Sequence, residues 1–286
     1  MPLISTRGSA SARGLGFLSS EYINNTAYGT PVSGYHVWLD AAYDSSFTYS
    51  SGNIVSQWTD RSGNAFAFTN ATTANQPIRT NRLNGRKTLT FDGAGGSANS
   101  DWLQSTATAS TWNYLHNGNG ATVFIVFKNT DATGDTNGLM STAGISGPGF
   151  TIRTDETVTP NQIDASIWKD SGVGGYLQNN DRNLPNSGGF NILTVVSDPN
   201  NATDANKLIQ YHGLNAGLGA TFVYTWTTST SNAYQTLLIG AESTGLTNSS
   251  TYKWGGDIAE IIIYQSILSS TDRNTNINYL KSKWGI

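Results

Sequence analysis

The chain has 286 residues, including 31 glycines, 7 prolines and no cysteine, with 12 % charged residues and a formal net charge of −3. This length suits one large domain or two average ones, and it can bury a core without disulfides or metals. Zero cysteines exclude disulfide scaffolds, thiol catalysis and thiolate zinc sites, and the lack of a Lys and Arg surplus argues against nucleic-acid partners.

The first stretch, Ile4-Ser5-Thr6-Arg7-Gly8-Ser9-Ala10-Ser11-Ala12-Arg13-Gly14-Leu15-Gly16-Phe17, has neither helical nor alternating periodicity. It carries two arginines, no acid and almost only small residues, so it cannot fold alone. Two readings stand: a disordered tail, or an arm lying along another protein with Arg7, Arg13 and Phe17 as anchors. No run of signal-peptide length follows Met1, and apolar runs such as residues 122–127 and 258–264 are too short to span a membrane. The expectation is a protein made in the cytoplasm without a leader and with no membrane partner. Asn-x-Ser/Thr sequons begin at Asn24, Asn70, Asn201 and Asn248 and read as chance in an Asn- and Thr-rich chain.

From Tyr35 onward the pattern has period two. Residues 35–39, 65–69 and 87–91 alternate as half-buried strands do, while 122–127 and 260–264 read as strands buried on both faces. Further strands are predicted at residues 54–58, 163–168, 191–196, 207–211, 221–226 and 236–239, separated by Gly, Asn, Asp and Ser turns. Two stacked antiparallel sheets bury the apolar faces of so many strands most simply. One helix is predicted near residue 270: Ser269 and Ser270 supply an N-cap, Asp272 lies in the first turn, and Lys281 and Lys283 fall in the last. Its stripe of Ile277, Leu280 and Trp284 would pack on the sandwich edge.

Three stretches together resemble the laminin-G-like (concanavalin A-like) jelly-roll family. They are Trp38-Leu39-Asp40-Ala41-Ala42 with Trp58-Thr59-Asp60-Arg61-Ser62-Gly63-Asn64; Leu83-Asn84-Gly85-Arg86 with Phe91-Asp92-Gly93 and Asp101-Trp102-Leu103; and residues 256–264 followed by the closing helix. The resemblance implies an all-β, two-sheet antiparallel jelly-roll sandwich over residues 31–286, with residues 1–30 as an extended N-terminal arm and a short C-terminal helix. It also implies that Asp40, Asp44, Asp92 and Asp101 lie near one another, where they are weak candidates for calcium; the other reading makes them turn caps and solvated charges. No other cofactor is expected. The arm is similar to the N-terminal peptide of many tailed-phage virion proteins. This second resemblance implies a virion-surface protein, a tail appendage or capsid decoration, whose Ser5, Thr6, Arg7, Gly8, Arg13, Gly14 and Phe17 grip other virion structural proteins. A homo-oligomer is compatible with it.

Catalytic patterns are missing from the sequence. The chain has only three histidines, His36, His116 and His212, and four glutamates, and no Glu-x-Asp-x-Glu run. Asp257 and Glu260, three apart, would point to opposite faces of a regular strand. The expectation is a non-enzymatic structural virion protein. The alternative is a carbohydrate-binding adhesion module that recognises host-surface polysaccharide, with Trp102, Trp112, Trp226 and Trp254 as possible glycan contacts, against the reading that such rings are core residues.

Overall fold

The structure is a computed structural model, and it describes residues 28–93, 100–118, 120–130, 137–143, 147–154, 162–169, 176–184, 188–215, 217–219, 222–223, 228–242 and 252–286. Seventeen strands and one α-helix occur among them. In chain order these are β1 (Val37–Asp40), β2 (Phe47–Ser51), β3 (Ile54–Thr59), β4 (Ala67–Thr69), β5 (Ile78–Leu83), β6 (Arg86–Asp92), β7 (Leu103–Ser105), β8 (Ala121–Asn129), β9 (Asn137–Ser141), β10 (Gly149–Thr154), β11 (Gln162–Trp168), β12 (Tyr176–Asn183), β13 (Asn191–Ser197), β14 (Leu208–His212), β15 (Phe222–Val223), β16 (Leu238–Ile239), β17 (Gly255–Tyr264) and α1 (Ser270–Trp284).

All described pairings are antiparallel, and they fall into two layers. The first runs β5, β6, β17, β8, β13, β14, with β1 following β6 along the same edge of the long β17. The second runs β2, β3, β4, β7, β16, β9, β10, β11, β12, β15. A single β3–β5 pair, Ile54 opposite Ile78, joins them. Every predicted strand contains observed strand; β2, β5, β7, β9, β10 and β12 lie outside the predicted runs.

Alternation explains how the layers stack. In β8, Val123, Ile125 and Phe127 enter the cluster between the layers, where they meet Phe150, Ile152, Ile163, Ala165 and Ile167 of the second layer. Phe124 and Val126 point the other way, into a second cluster beneath α1. The first layer is thus apolar on both faces, and its outer face is closed by Ile277, Leu280 and Trp284 of the helix. The helix therefore lies on a sheet face, not on the sandwich edge as its stripe suggested. An edge would not cover Trp38, Phe124 and Ile262, and burying each such side chain is worth about 1.5–3 kcal/mol.

The caps of α1 are as the sequence predicts. The Asp272 amide donates to Ser269 Oγ at 3.1 Å, and Gly285, at φ 69°, turns the chain out of the helix. Near the start of the described chain, the Val32 amide donates to Asn276 Oδ1 at 2.8 Å and the Tyr264 hydroxyl donates to the Val32 carbonyl at 2.6 Å. The arm residues named above, Ser5 to Phe17, lie outside the described residues.

One register shift corrects the sequence reading. β17 bulges between Ile258 and Glu260, so Ile258, Ile261 and Ile263 all face the inter-layer core. Asp257, bonded to Thr90 Oγ1 at 2.5 Å, and Glu260, bonded to α1, then share the outer face despite their odd spacing.

Candidate binding face

The outer face of the second layer, unlike that of the first, is not covered by α1. The register puts Gln57 opposite Thr69, Thr69 opposite Gln104, Gln104 opposite Leu238, and Leu238 opposite Ser141. Across the next strands Ser141 stands opposite Thr151, Thr151 opposite Ser166, and Ser166 opposite Gln178. Apart from Leu238, this cross-strand row is made of hydroxyls and amides. It exists because β10 and β11 alternate strictly: Phe150, Ile152, Ile163, Ala165 and Ile167 face the core, which leaves Thr151, Arg153, Asp164, Ser166 and Trp168 on the other side. The row is half-buried at Gln57, Thr69 and Gln104 and buried from Ser141 to Gln178.

The buried end is held in fixed geometry. Ser141 Oγ and Thr151 Oγ1 are 2.8 Å apart, and Trp168 Nε1 donates to Ser166 Oγ at 3.1 Å. Beside the row, Arg153 Nε donates to Asp164 Oδ2 at 3.1 Å, and Gln178 Nε2 donates to the same oxygen at 2.8 Å. Arg153 Nη1 also lies 3.4 Å from Glu242 Oε1. Burial pushes the Glu242 carboxyl up, and the Arg153 guanidinium opposes that rise. Two buried carboxylates around one arginine are costly to desolvate and do not add stability as a matter of course. Ordered, planar, polar side chains on a sheet face are what recognition of sugar hydroxyls requires, and the half-buried indole of Trp168 supplies a ring at the end of β11.

The predicted site residues are dispersed. Trp102 stays half-buried just before β7, two residues from Gln104. Trp112 and Trp254 are corrections: both rings are wholly buried in the inter-layer core. Trp112 packs among Phe66, Phe68 and Tyr114 and donates Nε1–H to Thr236 Oγ1, and Trp254 meets Phe127 edge-on at 5.6 Å. Filling the core is worth more to each ring than facing water, so neither offers a face to a sugar. Trp226 lies outside the described residues.

Of the four aspartates, the structure brings together only two. Asp40 is bound by Arg61 and by Lys283 under the helix. Asp44 pairs with Arg79 and Lys87 at the mouth of β5 and β6; burial would raise its carboxyl, but hydrogen bonds from Arg79 and Lys87 hold it below the ordinary range. Asp92 and Asp101 clamp each other: each carboxylate accepts the other's backbone N–H, at 3.0 and 3.1 Å. Burial, and then the charge of Asp92, push Asp101 up to about 7, while Lys253 opposes this. Among the described residues no group of three or more His, Asp or Glu side chains is arranged to hold a metal ion.

The sequence reading missed Gln57, Gln104, Arg153, Asp164 and Trp168. A signal for the last two was present, because the predicted strand at 163–168 sets Asp164, Ser166 and Trp168 on one face. Arg153 and Glu242 carried none, since they meet only through tertiary packing.

No protein-family model matches the sequence, and no curated protein sequence does either. Among solved structures the chain is similar to a mutant of HCR D/C VPI 5995, with TM-score 0.55 and 11 % identity over 86 % of this chain and 52 % of that one. It is also similar to a structure described as a receptor binding domain, with TM-score 0.52 and 11 % identity over 86 % of this chain and 51 % of that one. A Trypanosoma rangeli sialidase in complex with sialic acid gives TM-score 0.52 and 13 % identity over 88 % of this chain and 33 % of that one. The chain therefore spans about half of the first two and a third of the last. Identities this low show the fold alone, an antiparallel sandwich of the jelly-roll kind.

Proposed function

We propose that the chain is a carbohydrate-binding module whose ligand meets the outer face of the second layer at the positions that are not buried, Gln57, Thr69, Gln104 and Trp168. The observation that supports this is the set of polar side chains that the outer face of the second layer keeps accessible, Gln57, Thr69 and Gln104, where the outer face of the first layer is covered by α1. Such amides and hydroxyls, flanked by Trp102 and Trp168, suit a hydroxyl-rich ligand. That a sialidase of similar fold is solved with sialic acid is in keeping with the reading but rests on fold likeness alone. Attachment to a virion through residues 1–30 is a separate proposal resting on the arm's sequence; removing those residues and following incorporation into particles tests it.

The test of the carbohydrate reading is a glycan array probed with the full chain, followed by calorimetric titration of each hit with Gln104→Ala and Trp168→Ala. Binding that falls at least tenfold in both variants is expected. An array without hits, or hits indifferent to both changes, overturns the proposal.

A further inference from the structure

The first layer carries a second concavity, remote in topology from the polar row. A cavity of about 520 Å³ opens where the β13–β14 end meets the last turn of α1. Phe190, Leu214 and Ile286 form apolar walls, and Asn215 and Lys281, both exposed, contribute polar groups. Two glycines shape it. Gly213, at φ 59°, turns the chain after β14, with its N–H donated to the Ile192 carbonyl at 2.9 Å. Gly285, at φ 69°, ends the helix so that Ile286 folds back over the cluster beneath it.

Charge singles this cavity out. Acids outnumber bases 19 to 16 in the chain, yet no Asp or Glu side chain lines it. Two other cations of α1 are engaged, Arg273 with the Leu268 carbonyl and Tyr211 hydroxyl, and Lys283 with Glu260 and Asp40. Lys281 lines the cavity and has no ion pair or side-chain hydrogen bond among the described residues. The volume falls in the range of small-ligand pockets, roughly 300–1,000 Å³, and Leu214, half exposed, lines it along with Phe190.

We infer that this cavity is a second sugar site, selective for a monosaccharide that carries both a carboxylate and an apolar substituent such as an N-acetyl group. Lys281 meets the carboxylate, Phe190 and Leu214 flank the apolar group, and Asn215 addresses ring hydroxyls. The ligand class rests on the carbohydrate reading above; the location does not. With the polar row occupied on the other layer, such a site would make the module bivalent toward one polysaccharide.

The test titrates the full chain, labelled with ¹⁵N, with three probes: N-acetylneuraminic acid, glucuronic acid and N-acetylglucosamine. The expected result is saturable amide shifts at Gly213, Leu214 and Asn215 with N-acetylneuraminic acid, weaker ones with the other two probes, and at least fivefold loss of its affinity in Lys281→Gln. Phe190→Ala should weaken N-acetylneuraminic acid and N-acetylglucosamine and leave glucuronic acid unchanged. Unchanged affinity for N-acetylneuraminic acid in Lys281→Gln overturns the charge selectivity, and no shift at the cavity with any probe overturns the site. Shifts at Gln104 and Trp168 without shifts at the cavity sink this inference and leave the proposed function standing. Shifts at the cavity alone do the reverse.

Discussion

Asp101→Asn should make the protein more stable in neutral solution, and the gain should grow with pH. In the fold the Asp101 carboxyl sits near pKa 7, against an ordinary value of 3.8, because it is buried and faces Asp92. A raised acid means that the folded chain holds a proton the unfolded chain has already released between those two values. Stability from this group is therefore complete below about pH 4 and is lost as pH rises toward and past 7. A shift of about 3 units at 1.36 kcal/mol each sets an upper bound of about 4 kcal/mol on the loss. Asparagine keeps an oxygen for the Asp92 N–H, bonded at 3.0 Å in the wild type, and carries no charge. Urea unfolding of both proteins at half-unit steps from pH 4 to pH 8.5 reads the effect together with the change that the lost charge makes at Lys253 and Asp92. The difference should start near zero or slightly against the variant and climb by several kcal/mol. A difference that stays flat across that window, or that falls with pH, would refute the reasoning.

Two further expectations concern the helix and the core. Glu260 is fully buried and accepts from Trp38 Nε1, Tyr279 Oη, Lys283 Nζ and Trp284 Nε1, at 2.6 to 2.8 Å; Glu260→Ala should cost about 3–5 kcal/mol in denaturant unfolding, because it takes the acceptor from two indoles and the Tyr279 hydroxyl and leaves Lys283 with Asp40 alone, and Glu260→Gln should cost less. Trp254→Ala, which empties a wholly buried site against Phe127, should cost about 3–5 kcal/mol, whereas Trp168→Ala should change stability by under about 1 kcal/mol while weakening glycan binding; chemical denaturation paired with calorimetry separates the two.

The two-layer architecture was legible because period-two alternation is a local signal. Residues 122–127 and 260–264, apolar on both faces, announced central strands, and the capped run after Ser269 announced the helix. The strands that escaped, such as Asn137–Ser141 and Gly149–Thr154, are polar on one face; they pair with each other, and Asn137–Ser141 is held on its other edge by β16, far away in sequence. The bulge before Glu260 was invisible for the same reason: it is fixed by pairing with β8, and it alone brings Asp257 and Glu260 to one face. The aromatic residues misled because a tryptophan near a predicted turn, such as Trp112 or Trp254, has the same sequence context whether it plugs the core or faces a ligand. The binding face itself was half readable. Asp164, Ser166 and Trp168 share a predicted strand face, but the row through Gln104 and Gln57 emerges only when the register of seven strands is known.

Mapping amide and indole shifts of the full chain on titration with an oligosaccharide hit from the array addresses the proposed face most directly. The account predicts that the shifts include Gln57, Thr69, Gln104 and the Trp168 indole, in one saturable transition. Shifts that bypass all four while the glycan still binds would contradict it.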